Sequence, residues 1–246
     1  MSQFNNIIRS LPPVTKNLLM VNIFIWVVMM ILPAGMCGRL MDVCALHYFE
    51  APDFNPVQLF TYMFMHSTAS LTHLLFNMFS LFMFGIVLER LLGSRRFLFY
   101  YLSCGVGAAL IQEVVWSMTL ERMIVDGLAQ LNHTSKDAVM GYLARNPESL
   151  AMNYDFFTTV GASGAIYGVL LAFGMLFPNR PLYLMFIPVP IKAKWMIAGF
   201  VVIELLIGLS SANDGIAHFA HLGGMLIGFI MILFWKKKGV VNGPYY

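Results

Sequence analysis

The sequence predicts an all-α polytopic membrane protein in which six transmembrane helices form one bundle. Of its 246 residues, 59% are hydrophobic and 11% are charged, whereas soluble domains average about 45–50% apolar and about 25% charged residues. The mean hydropathy is +0.74, and the apolar residues are gathered into separate long runs. This composition excludes an ordinary soluble domain, and it also excludes a disordered chain, which would lack apolar residues.

Each predicted span is an apolar run of nearly the length that crosses a bilayer. A helix rises about 1.5 Å per residue, so about 20 residues cross roughly 30 Å of hydrocarbon. The first and fifth runs need flanking residues to reach that length. The predicted spans are residues 17–33, 71–92, 97–118, 160–177, 194–210 and 216–235. No internal repeat of the transporter kind is found, so residues 1–246 are predicted to form a single membrane domain.

Residues 120–155 connect the third and fourth predicted spans and are too polar to cross the membrane. We expect an extended outside loop at 120–155. Within it, residues 135–144 are predicted to form a short surface helix with Val139, Met140 and Leu143 on its apolar side. Pro147 stands just beyond the end of that helix, as is common where helices stop.

The basic residues predict the orientation, because Lys and Arg gather on the cytoplasmic side of membrane proteins. With the N-terminus inside, eleven of the fifteen basic residues fall on the inner side and four on the outer side. The inner set is Arg9, Lys16, Arg90, Arg95, Arg96, Arg180, Lys192, Lys194, Lys236, Lys237 and Lys238. We therefore expect a multi-pass protein of the cell inner (plasma) membrane with both termini cytoplasmic. Cys37 and Cys44 then lie outside, either as a disulfide or as free thiols.

Several polar side chains occur inside the predicted spans, where each costs on the order of 2–3 kcal/mol by insertion scales. His73 and Asn77 are one turn apart on the second span, Ser163 opens the fourth, and His218 and His221 open the sixth. With the predicted topology all five lie toward the outer ends of their helices. They are therefore predicted to meet at one depth, at a site that opens to the outside, periplasmic face.

These side chains fit acyl-transfer chemistry. A serine becomes a good nucleophile when a neighbouring base takes its proton, and histidine is suited to this near neutral pH. Ser163 and His221 are the candidate pair. The developing oxyanion needs hydrogen-bond donors, which His73, Asn77 and the backbone N–H of Ser163 can supply. The first turn of a helix also favours negative charge.

Other interpretations of the same residues stay open at this point. Small residues at G-x-x-x-G spacing, as in Gly164 to Gly168 and Gly224 to Gly228, typically pack helices together. Asn77 alone can bridge two helices. His218 and His221 have the spacing of a metal pair, but no third ligand stands near them in sequence. Three further polar residues lie within spans without a partner that the sequence names; they are Gln112, Glu113 and Glu204.

Four motifs, each in the expected span, together resemble the rhomboid intramembrane serine proteases. They are His73-x-x-x-Asn77, Gly85-x-x-x-Glu89-x-x-x-Gly93, Gly161-x-Ser163-Gly164 and Ala220-His221-x-x-Gly224. The resemblance covers nearly the whole chain except residues 120–155. Two features depart from the family pattern, namely the length of that connection and Val57-Gln58, where the family often has Trp-Arg.

The resemblance implies a role for each matched residue. Ser163 is the implied nucleophile and His221 its base, in a dyad without a carboxylate, while His73 and Asn77 line the oxyanion site. The Ala-His-x-x-Gly frame selects His221 over His218 as the base. Tyr167 corresponds to the family tyrosine that packs against the catalytic imidazole. The remaining implied residues are Gly161 and Gly164 as supporting residues, and Glu89, Gly85, Gly93, Gly224 and Gly228 as structural ones.

The function implied by the resemblance is intramembrane serine proteolysis. The expected partners are transmembrane protein substrates and the lipid bilayer, with no nucleic acid, no metal and no organic cofactor. Two alternatives belong to other classes. One is a catalytically inactive relative that binds membrane clients, and the other is a small transporter that uses the polar cluster as its ion path.

Overall fold

The structure, a computed structural model, describes residues 10–183, 189–210 and 217–245. Arg9 and residue 216, the start of the last predicted span, lie outside the described residues. Most of the described chain is helical, as predicted. In chain order the helices are α1 (Pro13–Ile31), α2 (Ala34–Cys44), α3 (Gln58–Thr61), α4 (Leu71–Ser80), α5 (Ile86–Leu92), α6 (Ser94–Leu131), α7 (Lys136–Arg145), α8 (Pro147–Tyr154), α9 (Ser163–Leu176), α10 (Ala193–Leu209) and α11 (His218–Lys237).

Short non-α segments complete the fold. A 3₁₀ turn at Tyr62–Phe64 follows α3, and a π-helical segment at Leu81–Gly85 joins α4 to α5 in one continuous rod. In the described ranges, two antiparallel strand pairs, which the sequence did not predict, join connecting segments. Strand β1 (Leu46–His47) pairs with β2 (Thr158–Thr159), and β3 (Pro181–Tyr183) pairs with β4 (Pro190–Lys192).

Within the part of the chain that the structure describes, four helical rods are long and apolar enough to cross a membrane. They are Pro13–Ile31, Leu71–Leu92, Ser94–Leu131 and His218–Lys237. The other two helices predicted to span, α9 and α10, have 14 and 17 residues. The chain is thus a membrane protein with several candidate spans, and the number six stays a prediction.

Helix α9 lies at the centre of the bundle. It packs against α11, α6 and α10, and most of its side chains are buried. The partly exposed positions recur every four residues at Ser163, Tyr167, Leu171 and Met175. Because positions four apart share a helix face, Ser163 and Tyr167 lie on the one stripe of α9 that its neighbours leave open.

The connection predicted as an extended outside loop is mostly helical. Helix α6 ends at Leu131 rather than near residue 118, because residues 119–131 are rich in good helix formers and contain no proline. The predicted surface helix is present as α7, with Ser135 accepting a hydrogen bond from the Ala138 amide at 3.2 Å. Val139 and Leu143 are buried as expected, but Met140 is exposed.

Glu89 links three helices by hydrogen bonds at the end of the bundle opposite Ser163. Its buried carboxylate accepts hydrogen bonds from the Val14 amide at 2.9 Å, the Thr15 amide and hydroxyl at 2.7 Å each, and the Ser94 hydroxyl at 2.7 Å. It therefore joins the starts of α1 and α6 to the end of α5. Gly93 follows α5 with φ of +80°, which lets the chain turn directly into α6.

Candidate active site

Ser163 is the first residue of α9, directly after a tightly held turn. The Gly161 amide donates to the Tyr62 carbonyl at 3.0 Å, and Gly161 has φ of +128°, a conformation that other residues rarely adopt. A Cβ at Gly161 would also meet Nε2 of His73 at 2.9 Å. The turn therefore requires glycine, and it places His73 of α4 beside the start of α9.

The hydroxyl of Ser163 meets the imidazole of His221. Ser163 Oγ lies 2.8 Å from His221 Nε2, although the two residues are 58 positions apart in the chain. His221 is on the first turn of α11 and is buried. The contact brings together the pair that the sequence predicted, and it is His221 rather than His218 whose Nε2 meets this hydroxyl.

Tyr167 fixes the plane of the His221 ring. The two rings are parallel within 5°, with centroids 4.2 Å apart. Tyr167 is one turn after Ser163 on the open stripe of α9, so the tyrosine and the serine approach the imidazole from the same helix. This is the stacking that the family resemblance implied.

The sequence did not single out Glu204 of α10 as a site residue, yet its buried carboxylate lies against both histidines. Oε1 accepts a hydrogen bond from the Tyr167 hydroxyl. Oε2 lies 2.6 Å from His218 Nδ1 and 3.0 Å from His221 Nδ1. The only sequence signal was an acid within an apolar run, because its partners lie on two other helices.

The two predicted oxyanion residues differ in their surroundings. His73 lies against the turn that leads into Ser163. Asn77 is buried one turn further along α4, and its Nδ2 donates to the backbone carbonyl of His73 at 2.9 Å. An amide nitrogen has two donor hydrogens, so this bond uses one of them. Asn77 thereby also steadies the helix turn that carries His73.

His66 is buried beside His73 in the segment that precedes α4. The ring centroids are 5.2 Å apart. Burial, with a contribution from the neighbouring His73 ring, lowers the pKa of His66 to about 4. His66 is therefore neutral at physiological pH and fills space next to the site as an uncharged ring.

Gln58 organises the loop in which the sequence departs from the family pattern. Its Nε2 donates to the carbonyls of Asp42 at 3.0 Å and Asp53 at 2.8 Å, and its Oε1 accepts from the His47 amide at 3.2 Å. The loop is thus held by a fully buried glutamine. Cys37 and Cys44 nearby are both free thiols in the structure, as is Cys104.

Among the described residues, two groups of side chains have ligand atoms close enough to share a metal ion. One is Glu204, His218 and His221, and the other is Asp42, His47 and Asp53. In the first group the structure supplies the carboxylate that the sequence did not place near the histidines. Its donor atoms already contact one another and the Tyr167 hydroxyl, and His221 also contacts Ser163. We interpret it as a hydrogen-bonded and ion-paired cluster. In the second group both acids are exposed.

Comparison with known proteins gives consistent matches. A sequence model of the Rhomboid domain matches residues 53–238. Rhomboid protease AarA of Providencia stuartii is 28% identical over 192 residues, which cover 73% of this chain and 57% of that protein. Rhomboid protein 1, mitochondrial, of Saccharomyces cerevisiae is 27% identical over 158 residues, which cover 64% of this chain and 36% of that protein. The chain thus spans less than two thirds of the length of each of these relatives.

Proposed function

We propose that this chain, which belongs to the rhomboid family, is an intramembrane serine endopeptidase that cleaves transmembrane segments of other membrane proteins. The observation that carries the proposal is the 2.8 Å contact between Ser163 Oγ and His221 Nε2 within a bundle of apolar helices. A relative with 28% identity is named as a rhomboid protease, which supports the same class of activity.

The proposed reaction uses Ser163 and His221 as nucleophile and base. His221 Nε2 accepts the hydroxyl proton while Ser163 Oγ attacks the scissile carbonyl carbon, giving a tetrahedral intermediate. The imidazolium then donates that proton to the leaving amine, and the peptide C–N bond breaks. A water molecule, deprotonated by the same nitrogen, hydrolyses the acyl ester and restores the serine. Each proton that His221 accepts is thus returned within the cycle.

The negative charge on the intermediate is proposed to develop near the start of α9. The first N–H groups of a helix have no acceptor within the helix, and the helix dipole favours an anion there. The backbone N–H of Ser163 and the ring of His73 are the proposed donors, with the second amide hydrogen of Asn77. Removing one such donor in other enzymes costs roughly 10²–10³ in rate.

Water and substrate must both reach a site among apolar helices. Hydrolysis consumes water, which lipid does not supply. In the proposed topology of six spans with both termini cytoplasmic, water enters from the outer, periplasmic face through the open stripe of α9. By family resemblance, substrates enter laterally between the second span (residues 71–92) and the fifth (α10). No metal, organic cofactor or nucleic acid takes part in the proposed reaction.

The test is cleavage of a transmembrane reporter by purified protein in liposomes. We expect the wild type to cleave, and S163A and H221A each to reduce the rate to background. S117A is the matched control, because Ser117 is an exposed serine of α6 whose hydroxyl bonds only its own helix among the described residues. A wild type that is inert on several reporters would overturn the proposal and favour an inactive client-binding relative. Ion flux that survives S163A would instead favour a transporter.

A further inference from the structure

Glu204 is a buried acid at the centre of a junction between three helices. It lies in an otherwise apolar stretch of α10 and is 6% exposed. An acid at such a depth costs on the order of 2–3 kcal/mol and marks a functional site by default. Its carboxylate is contacted by Tyr167 from α9 and by His218 and His221 from α11. One of these three partners, His221, is the residue whose ring meets Ser163.

The His221 ring lies between a hydroxyl and a carboxylate. Its Nε2 is 2.8 Å from Ser163 Oγ, and its Nδ1 is 3.0 Å from Glu204 Oε2. For Nε2 to accept the serine proton, the neutral ring must carry its hydrogen on Nδ1. A carboxylate beside Nδ1 favours that tautomer and stabilises the imidazolium that forms during the reaction, which is how the acid acts in serine proteases of other folds.

We propose that Glu204 is a positioning residue that extends the Ser163–His221 pair to a Ser–His–Glu series. The proposal rests on the proposed function, because it assigns Glu204 a part in the same reaction. It also departs from the dyad without a carboxylate that the family resemblance implies. Glu204 does not touch the reacting atoms and acts through His221.

The surrounding contacts hold the carboxylate in place. The Tyr167 hydroxyl donates to Oε1 of Glu204, and the Tyr167 ring stacks on His221. Tyr167 therefore orients both the carboxylate and the imidazole. His218 Nδ1 lies 2.6 Å from Oε2. The Nδ1–H of His221 does not point straight at Oε2, since Nδ1 lacks a well-aligned hydrogen-bond partner among the described residues. The carboxylate therefore acts on His221 mainly through its charge.

The effect of Glu204 on pH dependence can be separated from that of the other groups around His221. Facing this ring are His73 from α4, Ser163 and Tyr167 from α9, Glu204 from α10, and His218 on its own helix. Among these described groups Glu204 alone is an acid. Removing its charge makes the imidazolium of His221 less favourable, so the acidic limb of the pH profile of kcat/KM should move to lower pH.

The experiment compares wild type with E204Q and E204D on the transmembrane reporter. We expect E204Q to lower kcat at least tenfold with KM within about twofold and to shift the acidic limb by at least half a pH unit. E204D restores a carboxylate. It should therefore recover part of the lost kcat and move the acidic limb part of the way back to its wild-type pH. The matched control is E113Q, which changes another buried acid in an apolar helix, one that accepts from the Phe49 amide. Its kcat and pH profile should equal those of the wild type.

Each outcome distinguishes this inference from the proposed function. An inert wild type defeats the proposed function itself. If wild type cleaves, S163A does not, and folded E204Q matches wild type in kcat and pH profile, Glu204 is only structural and the inference is overturned. If E204Q does not fold, E204D decides, because its carboxylate is retracted by one methylene. A threefold or greater loss of kcat at unchanged KM supports the inference, and an unchanged kcat overturns it.

Discussion

Gly224 and Gly164 bring α11 and α9 into backbone contact next to the Ser163–His221 pair. A Cβ atom on Gly224 would overlap the carbonyl oxygen of Gly164, so the two helices approach as closely as their backbones allow. Gly164 follows Ser163 directly, and Gly224 lies three residues after His221. The glycines at these positions therefore set the distance between the hydroxyl and the imidazole.

Gly224→Ala should disrupt this contact. The added methyl group forces the helices apart, and overpacking typically costs about 1–3 kcal/mol and occasionally more. We expect a lower unfolding temperature in detergent and at least a hundredfold loss of reporter cleavage. Gly199→Ala in α10 is the control, because beyond its own helix backbone and chain neighbours no described atom lies within 4 Å of the added Cβ there. Equal stability of the two variants would contradict the account.

Tyr167 should show separable effects of its ring and its hydroxyl. Tyr167→Phe keeps the stacking on His221 but removes the bond to Glu204, and we expect kcat to fall several-fold. Tyr167→Ala removes both contacts and should lower kcat by a further factor of ten or more. Reporter cleavage, measured with thermal unfolding as a control for folding, checks the order. A phenylalanine variant as impaired as the alanine variant would show that the stacking adds nothing.

Glu89 should affect stability without affecting the reaction. Glu89→Gln replaces the acceptor of four hydrogen bonds by one carbonyl and an amide that has to donate. We expect the free energy of unfolding to fall by roughly 2–4 kcal/mol. Because about 24 Å of helix separates residue 89 from residue 73, kcat per folded molecule should not change. Glu148→Gln on α8 serves as an exposed control, and a lowered kcat in the folded Glu89 variant would contradict this role.

His66 should make stability depend on pH. Its pKa is lowered by burial to about 4 in the fold, against about 6.5 when unfolded. The unfolded chain therefore binds the proton first, so the free energy of unfolding decreases as pH falls from 6.5 toward 4, by on the order of 3 kcal/mol. Thermal unfolding in detergent across this range checks the slope. We expect His66→Gln to weaken the dependence of the free energy of unfolding on pH. His133→Gln, which changes an exposed histidine, should not alter that dependence. The same dependence in the wild type and both variants would contradict this account.

The sequence predicted the Ser163–His221 pair because each residue stands in a short motif at the start of an apolar helix. Because the predicted topology places the starts of these two helices at the same membrane depth, few arrangements remain in which the two side chains could meet. Glu204 does not stand in a recognisable motif. Its partners lie on α9 and α11, and only the packing of α10 against both determines which residues it contacts. A contact between two helices is thus predictable where both residues stand in recognisable motifs, as Ser163 and His221 do, and not where one of them, like Glu204, stands in none.

Residues 119–131 show that the length of a helix is hard to predict from its apolar run. Their charged and polar residues end the apolar run near residue 118, which predicts that the third helix ends there. The backbone continues because alanine, leucine, methionine and glutamate favour a helix in water as well as in lipid, and buried Leu120, Ile124 and Val125 pack its inner face. An apolar run therefore marks the depth of a span but not the length of the helix that forms it.

The most direct measurement is covalent labelling of the purified protein by a fluorophosphonate probe, with the modified residue identified by mass spectrometry. Such a probe reacts with a serine that a neighbouring base activates. The account predicts labelling at Ser163 in the wild type, none in S163A, and at least a tenfold slower reaction in H221A. Absence of labelling in folded wild type, or a rate at Ser163 that does not depend on His221, would contradict it.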